Sequence, residues 1–373
     1  MRLLLSAALA LVVPVLFAPL AGAQGIQGTI DIGFTSQNYE VGDAGETVRQ
    51  TALPIRAGVR HSSGVGGWLR TAYASGGGEN LESLSGLADT QVGLSYERLL
   101  GTALAEISLR ASVPTGQTTL SGEAFETVTA LAVDDFAFAV PTLGQGAILS
   151  PGVTLAIPAG NGAAVGVGAS YSARSAYTPF ADDPSEYAPA DETILTAGLS
   201  VQTGRASTFT LDASYVLYGT DTYRGETFEP GNKLAASMRW AWGGGPVRSA
   251  LHMRYRRVTD GAIGASGRPV VYLRPDIAAV GLGLSFGSET ARVGLSSGVR
   301  YYGSFSEVAD AVDFETALGG QQVLLDLGVQ PSFAFSETGS VQGGVVVTRG
   351  IGTAAGAESL SGLRIGGGVS YGF

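Results

Sequence analysis

Between Ser207 and Tyr218 the chain reads STFTLDASYVLY, and its polarity changes at almost every step. Thr208, Thr210, Asp212 and Ser214 fall on one side, and Phe209, Leu211, Ala213, Tyr215 and Leu217 on the other. A period of two is the signature of an extended strand with one polar and one apolar face, because successive Cβ atoms point to opposite sides of the pleat. The stretch does not stand alone. From 233 to 242 (KLAASMRWAW), Lys233, Ser237 and Arg239 oppose Leu234, Met238, Trp240 and Trp242. From 247 to 257 (VRSALHMRYRR), Arg248, His252, Arg254 and Arg256 oppose Val247, Leu251, Met253 and Tyr255. From 322 to 330 (QVLLDLGVQ), Gln322, Asp326 and Gln330 oppose Val323, Leu325, Leu327 and Val329.

Composition narrows what such strands can build. The chain has 373 residues, 56 of them Gly and none Cys, with 14% charged and 45% hydrophobic residues. Charge is scarce against the roughly 25% of soluble domains, yet apolar residues are too many for a disordered chain. After the N-terminus no run of about 18 uncharged apolar residues is present, which argues against membrane-spanning helices. The absence of Cys removes disulfides, thiolate metal sites and Cys nucleophiles, and two His leave little for imidazole chemistry. No cofactor and no metal are expected. A formal charge of −10 argues against nucleic acid as a partner.

The N-terminus reads as an export signal over residues 1–23. Arg2 supplies the positive end, Leu3 to Leu20 the apolar run, and Ala21-Gly22-Ala23 the small-residue cleavage site. Residues 24–373 then form one domain. Its strand-like segments run about 10–12 residues, longer than the ~5–6 usual in soluble sheets and matched to tilted spanning strands. The connections alternate. Short turns fall near 63–66, 100–102, 159–162, 204–206, 243–246, 287–290 and 336–340. Longer ones fall near 39–48, 75–87, 114–146, 175–191, 219–231, 259–274, 304–318 and 350–359. This alternation predicts an all-β, transmembrane, antiparallel up-and-down barrel of about sixteen strands, with fourteen as the alternative.

The closing residues Leu363-Arg-Ile-Gly-Gly-Gly-Val-Ser-Tyr-Gly-Phe373 carry a resemblance. They resemble the terminal strand of Gram-negative outer-membrane β-barrels, with Leu363, Ile365, Val369, Tyr371 and Phe373 at the matching parity and Gly367 departing from it. The resemblance implies an outer-membrane location, lipid as surroundings, and recognition of Tyr371 and Phe373 by the barrel-insertion machinery. A weaker resemblance lies in Val113-Pro114-Thr115-Gly116 and Leu143-Gly144-Gln145-Gly146. These are similar to the outer-membrane protein family associated with meta-pathway phenol degradation, and more distantly to fatty-acid-type transporters.

If the apolar face meets lipid, the polar face lines a lumen. That parity places Arg56, Arg60, Arg70, Arg110, Arg174, Lys233, Arg239, Arg248, His252, Arg254, Arg256, Arg292, Arg300 and Arg364 inside, with Asp31, Glu97, Glu106, Glu192, Asp212 and Asp326. An Arg facing lipid at midplane would cost about 2–4 kcal/mol, so inward placement is enforced. Such a set lines a pore for anions or polar solutes, or stiffens the wall through Arg–carboxylate pairs. The longest connection, 114–146, is too long for a plain loop. A short helix is expected over Glu123–Ala132, with Phe125, Val128, Leu131 and Ala132 on its apolar face and Glu123 favourable near its N-terminus. Together with Glu126, Asp134, Asp135, Phe136 and Phe138, this segment is expected to fold into the barrel mouth as a constriction. Catalysis is not expected, because an imidazole at His252 beside Arg248 and Arg256 would be a poor base. The functional expectation is passive passage of small solutes. A selective transporter of hydrophobic or aromatic compounds, or a plugged structural or adhesive barrel, are the alternatives.

Overall fold

The computed structural model describes residues 25–42, 45–132, 136, 138, 140, 144–259, 261–265, 268–272, 276–303, 321–352 and 359–373. The expected export signal lies outside them. The strands are β1 (Ile26–Val41), β2 (Glu46–His61), β3 (Val65–Gly78), β4 (Leu84–Leu87), β5 (Thr90–Leu100), β6 (Ala103–Val113), β7 (Ile148–Pro158) and β8 (Ala163–Arg174), then β9 (Tyr187–Ala188), β10 (Glu192–Gly204), β11 (Ser207–Tyr218), β12 (Asp221–Tyr223), β13 (Glu226–Glu229), β14 (Lys233–Gly244) and β15 (Val247–Val258). They continue as β16 (Gly261–Ala265), β17 (Arg268–Tyr272), β18 (Ile277–Gly287), β19 (Ala291–Tyr302), β20 (Gln322–Ala334), β21 (Gly339–Gly352) and β22 (Leu360–Gly372), with one helix, α1 (Gly122–Leu131), between β6 and β7.

Each wall strand pairs antiparallel with the next, and β22 returns to pair with β1 from Thr29↔Gly372 to Val41↔Leu360. Setting aside β4 and the loop strands β9, β12, β13, β16 and β17, sixteen strands close the ring, as the connection pattern predicts. Closure leaves no edge, so the wall satisfies its own backbone without water. Seven short turns lie at one end, where both ends of the wall also sit. Gly64 shows why Gly marks such a turn. Its φ is +92°, and a Cβ there would run into the Glu97 carbonyl.

One expectation changes. The 39–48 connection is no long loop, because β1 and β2 continue to Val41 and Glu46 with Tyr39↔Val48 paired. Both side chains are buried on the inner face, and that burial is what holds the hairpin up beyond its neighbours.

On the outer face, Leu, Val and Ile form a band that is exposed in the isolated chain. Tyr73, Tyr171, Tyr255 and Tyr301 bound it towards the long-loop end, and Tyr96, Trp240, Phe286, Phe333 and Tyr371 bound it towards the short-turn end. Two aromatic girdles around an apolar band mark the membrane-spanning height of an outer-membrane barrel.

The core sits inside the ring at the long-loop end. Leu131, Phe136 and Phe138 of the long connection, with Leu81, pack against Tyr39, Val41, Val48, Tyr302, Leu324, Leu360 and Ile277. Those wall residues come from β1, β2, β18, β19, β20 and β22. A segment rooted between β6 and β7 reaches all of them only by crossing the interior, and this identifies the inner face of every strand. Leu324, out of step with the polar residues around it on β20, is fully buried against this segment.

The C-terminus is stapled to the first strand. Gly28 and Phe373 exchange backbone hydrogen bonds of 2.8 and 3.0 Å, and the Phe373 ring occupies the space a side chain at position 28 would need. Deleting Phe373 is expected to leave export intact but lower the amount of heat-modifiable, membrane-inserted barrel. Unchanged amounts in the deletion strain would show that the terminal ring is dispensable for assembly.

Candidate functional site: the barrel lumen

Register assigns each charged side chain to a face. Asp31 pairs with Arg56 and Arg56 with Arg70; Gly93 pairs with Arg110 and Glu97 with Glu106. Across the ring, Asp212, Ser237, Arg254, Ala279 and Arg300 form one row of partners, and Arg239, His252, Gly281, Gly298 and Asp326 form the next. Arg60, Arg248, Arg256 and Arg292 share the same face. The sequence-predicted lining set therefore lies together on the inner side. The His252 ring occupies the space over Gly281.

Some of these cations are neutralised in the wall. Arg300 holds Asp326 with two hydrogen bonds, 2.8 and 3.1 Å, and Asp326 also accepts from the Thr348 hydroxyl at 2.6 Å. Arg174 pairs with Glu192 at 2.7 Å and Arg60 with Glu97 at 2.5 Å. Among the described residues, Arg56, Arg70, Arg110, Arg239, Arg248 and Arg254 form no ion pair. The wall ladder and the excess of positive charge thus coexist, and the excess faces the lumen. Between β11 and β19 a cavity of about 420 Å³ opens on this face, lined by Asp212, Ser214, Lys233, Ser237, Arg254 and Arg256 among others.

The long connection is fixed at both ends by one carboxylate. Asp89 Oδ1 accepts from Gly116 N at 3.0 Å and Asp89 Oδ2 from Gln145 N at 2.8 Å. Gly116 of the first short motif and Gly144 and Gln145 of the second are therefore brought together. Gly116 and Gly144 approach so closely that a Cβ on either would crowd the other backbone and Asp89. Thr115 repairs the wall, where the partners of β3 pass from β4 to β5 with a one-residue shift. Its hydroxyl accepts from Thr90 N at 2.9 Å and donates to Ala88 O at 2.8 Å, satisfying groups the ladder leaves over. Farther in, the Gln50 side-chain amide clamps the backbone of Val140 with bonds of 2.7 and 3.2 Å.

Helix α1 starts at Ser121, whose hydroxyl accepts from Ala124 N at 3.1 Å. Its buried face is Ala124, Thr127, Val128 and Leu131, rotated from the expected one. Phe125 lies half out of the helix packing, its ring 4.9 Å from that of Phe180, while Ala132 is exposed. Contacts to Glu82 and Phe180 on neighbouring connections cause the rotation, with the Thr127 hydroxyl donating to Glu82 O at 3.0 Å. Glu123 and Glu126 are exposed, Phe136 is buried and Phe138 partly so. Asp134 and Asp135 lie outside the described residues.

Above the rim, β9, β12, β13, β16 and β17 form a second, five-stranded sheet out of three connections. Asp183 accepts from the Tyr223 hydroxyl at 2.5 Å and pairs with Arg224 at 2.5 Å. Buried Asp221 accepts from the Tyr187 hydroxyl and from Ala190 N. The Tyr223 hydroxyl, then the Ser185 amide and Arg224, hold the Asp183 carboxyl well below the usual carboxylate range.

Sequence reasoning passed over Asp89, Gln50 and Trp68. Trp68 pairs with Gly58 and Gly93 and so faces the lumen, whereas Trp240 and Trp242 face outward. Its indole fills the space over Gly93 and is 37% exposed. Only the strand register, not the local pattern, tells it from the lipid-facing aromatics.

No protein-family model matches the chain, and no curated protein does. Solved structures similar to it include OccK7 (OpdD) of Pseudomonas aeruginosa, 8% identical, TM-score 0.46, with 94% of this chain and 99% of that one covered. OmpT, expressed in the outer membrane of Vibrio cholerae, is 10% identical with a TM-score of 0.41, covering 94% and 99%. The translocator domain of the autotransporter NalP from Neisseria meningitidis is 11% identical with a TM-score of 0.31, covering 98% and 96%. The chain's own hydrogen-bonded wall assigns its fold.

Asp89→Ala is expected to loosen the root of the long connection without opening the ring. In the folded barrel, protease cuts between 117 and 143 should appear faster than in the wild type, with heat modifiability retained. Equal cutting rates would dismiss Asp89 as the staple. For the upper sheet, the folded pKa of Asp183 lies below its unfolded value. Its contribution is therefore full above the ordinary Asp pKa of about 4 and lost as pH falls through the lower folded value. Nicking between 219 and 232 should stay flat from neutral pH down to that range and rise below it. Asp183→Asn should nick faster already at neutral pH.

Proposed function

We propose that this barrel is an outer-membrane channel for passive passage of small solutes, with a basic lumen narrowed at its long-loop end by the 114–146 connection. The observation that carries the reading is the combination of a closed wall, inner guanidinium groups without ion-pair partners among the described residues, and an apolar segment seated inside the ring. Fixed positive charge along a water-filled path favours anions over cations. In this reading lipid surrounds the two-girdled band, the insertion machinery reads Phe373, and an export signal is removed after Ala23. The channel performs no chemistry on what it passes.

A second reading, selective passage of hydrophobic or aromatic compounds, draws on Trp68 in the lumen and on the Tyr39, Phe136 and Phe138 rings, 5.2 to 5.5 Å apart, at the mouth.

Planar-bilayer recording tests both. Changing Arg248, Arg254 and Arg256 together to Ser should move the reversal potential towards cations; an unmoved potential in a conducting variant would retire the anion path. Replacing 122–140 by a short Gly-Ser linker spares the Asp89 staple and should raise single-channel conductance. Unchanged conductance would place the segment beside the path rather than in it. A rise accompanied by loss of discrimination among aromatic solutes would favour the second reading.

A further inference from the structure

We propose that the outer wall carries a docking site for one phosphate-bearing acyl lipid, with the acyl chain in an apolar groove across β18–β21 and the phosphate on Arg349. The proposal rests on the outer-membrane placement in the reading above, not on conduction, and names a lipid that the wall holds at a fixed place.

Strand β21 fixes the geometry. Thr348 bonds luminal Asp326 at 2.6 Å, so Val347 and Arg349 on either side of it face outward, and both are exposed. On that outward face β21 reads Val341, Gly343, Val345, Val347 and then Arg349, so the apolar band ends on this strand where the guanidinium begins. Below Arg349 a groove of about 460 Å³ crosses the wall to β18. Leu282, Ser297, Leu327 and Val347 are partners in one row of its lining, with Leu295 and Val345 in the next. Ser297 is the short side chain of that row, and Leu327, 66% exposed, stands proud beside it. The groove is therefore a dip in a convex wall, floored by Ser297. Arg349 and Val345 are separated by about 13 Å of strand. With strand tilt this is about 10 Å of depth, near one leaflet's share of a band about 25 Å tall. An acyl chain hung from a headgroup at Arg349 thus lies in the groove over the depth of its own leaflet.

Charge selects the headgroup. Arg349 forms no ion pair among the described residues. Glu40 shares this face two strands away across Ser361, and its Oε2 accepts from the Ser361 hydroxyl at 3.3 Å. A guanidinium at the edge of hydrocarbon without a carboxylate partner calls for an anion, and phosphate oxygens match its fork. Outward-facing Tyr301 flanks the groove on the β19 side, one row nearer the loops, and its hydroxyl has no hydrogen-bond partner among the described residues. Two strand spacings and one row put the Arg349 and Tyr301 Cα atoms about 12 Å apart. One phosphate spans that distance between two long side chains. A lone exposed cation holds a free ion weakly. Burial of an acyl chain in the groove supplies what the charge lacks, so the phosphate arrives on a lipid.

Native mass spectrometry of the folded, detergent-solubilised barrel tests the site with dimyristoyl phosphatidic acid and dimyristoyl phosphatidylcholine, which share their chains and differ in the head. In the wild type the phosphatidic acid complex should half-form at a concentration roughly tenfold lower, the worth of a charge-assisted hydrogen bond. Arg349→Ser should bring that ratio to about one. Ser297→Leu should fill the dip and weaken both lipids with the ratio kept. Inorganic phosphate should leave the complex in place. Equal binding of the two lipids in the wild type, a ratio indifferent to Arg349→Ser, or binding indifferent to Ser297→Leu would overturn the proposal. So would displacement by inorganic phosphate, which would make the ligand a free ion. A dimer that Ser297→Leu takes apart would give the groove to a second copy instead and overturn it too. Cell fractionation decides the other reading: a barrel missing from the outer-membrane fraction fails that placement, while the lipid ratio in detergent decides the site separately.

Discussion

A peptide N–H or C=O facing hydrocarbon has no water to bond to, and leaving one unpaired costs several kcal/mol. The rest of this molecule follows from that constraint. It requires a wall that closes on itself, which β22 and β1 achieve. A wall of extended strands sends alternate side chains to opposite sides. One side is spent on lipid, so each charge in a spanning segment must take the other. The basic lumen is in this sense produced by the membrane, before any solute is considered. What goes beyond membrane physics is that Arg56, Arg70, Arg110, Arg239, Arg248 and Arg254 have no carboxylate partner among the described residues, since Arg300–Asp326 and Arg174–Glu192 show the wall could have supplied them.

The mouth obeys the complementary rule. Above the lipid the hairpins are free of the hydrocarbon, and apolar residues there need burial of their own. Tyr39 and Val48 find it against Leu131 and Phe136, so the taller β1–β2 hairpin and the inserted connection stabilise each other. The cluster joins one side of the ring to the other. The upper sheet does the same for three further connections, through carboxylates that are hydrogen-bonded rather than bare.

The wall was legible in the sequence because its signal is local: period two, short turns, and a closing Phe. The inner placement of Arg254 or Asp326 follows from parity alone. Asp89 was not legible. Its role depends on a one-residue register shift between β3 and its partners and on two loop amides that meet only in space. Nor was the orientation of α1, because Glu82 and Phe180, far away in sequence, decide which helix face is buried. Trp68 shows the limit most clearly. Its neighbours on β3 alternate too weakly for parity to be read, and Gly58 and Gly93 give it room only through pairing. The 39–48 connection was misjudged for a related reason, since its polar composition hides inward-facing Tyr39 and Val48.

The repair of the wall by Thr115 couples two parts usually regarded as separable. The hydroxyl that completes the ladder at Ala88 and Thr90 belongs to the long connection, and the staple beside it ends at Gln145. The strand ladder draws its hydrogen bonds from that root and from outside it, while the chain inside it supports the mouth through packing and through the Gln50 clamp. The chain between Gly116 and Gly144 is therefore a replaceable cassette with fixed ends. Segments of different length or chemistry can be exchanged there, in evolution or by design, to give one invariant cylinder a series of different interiors.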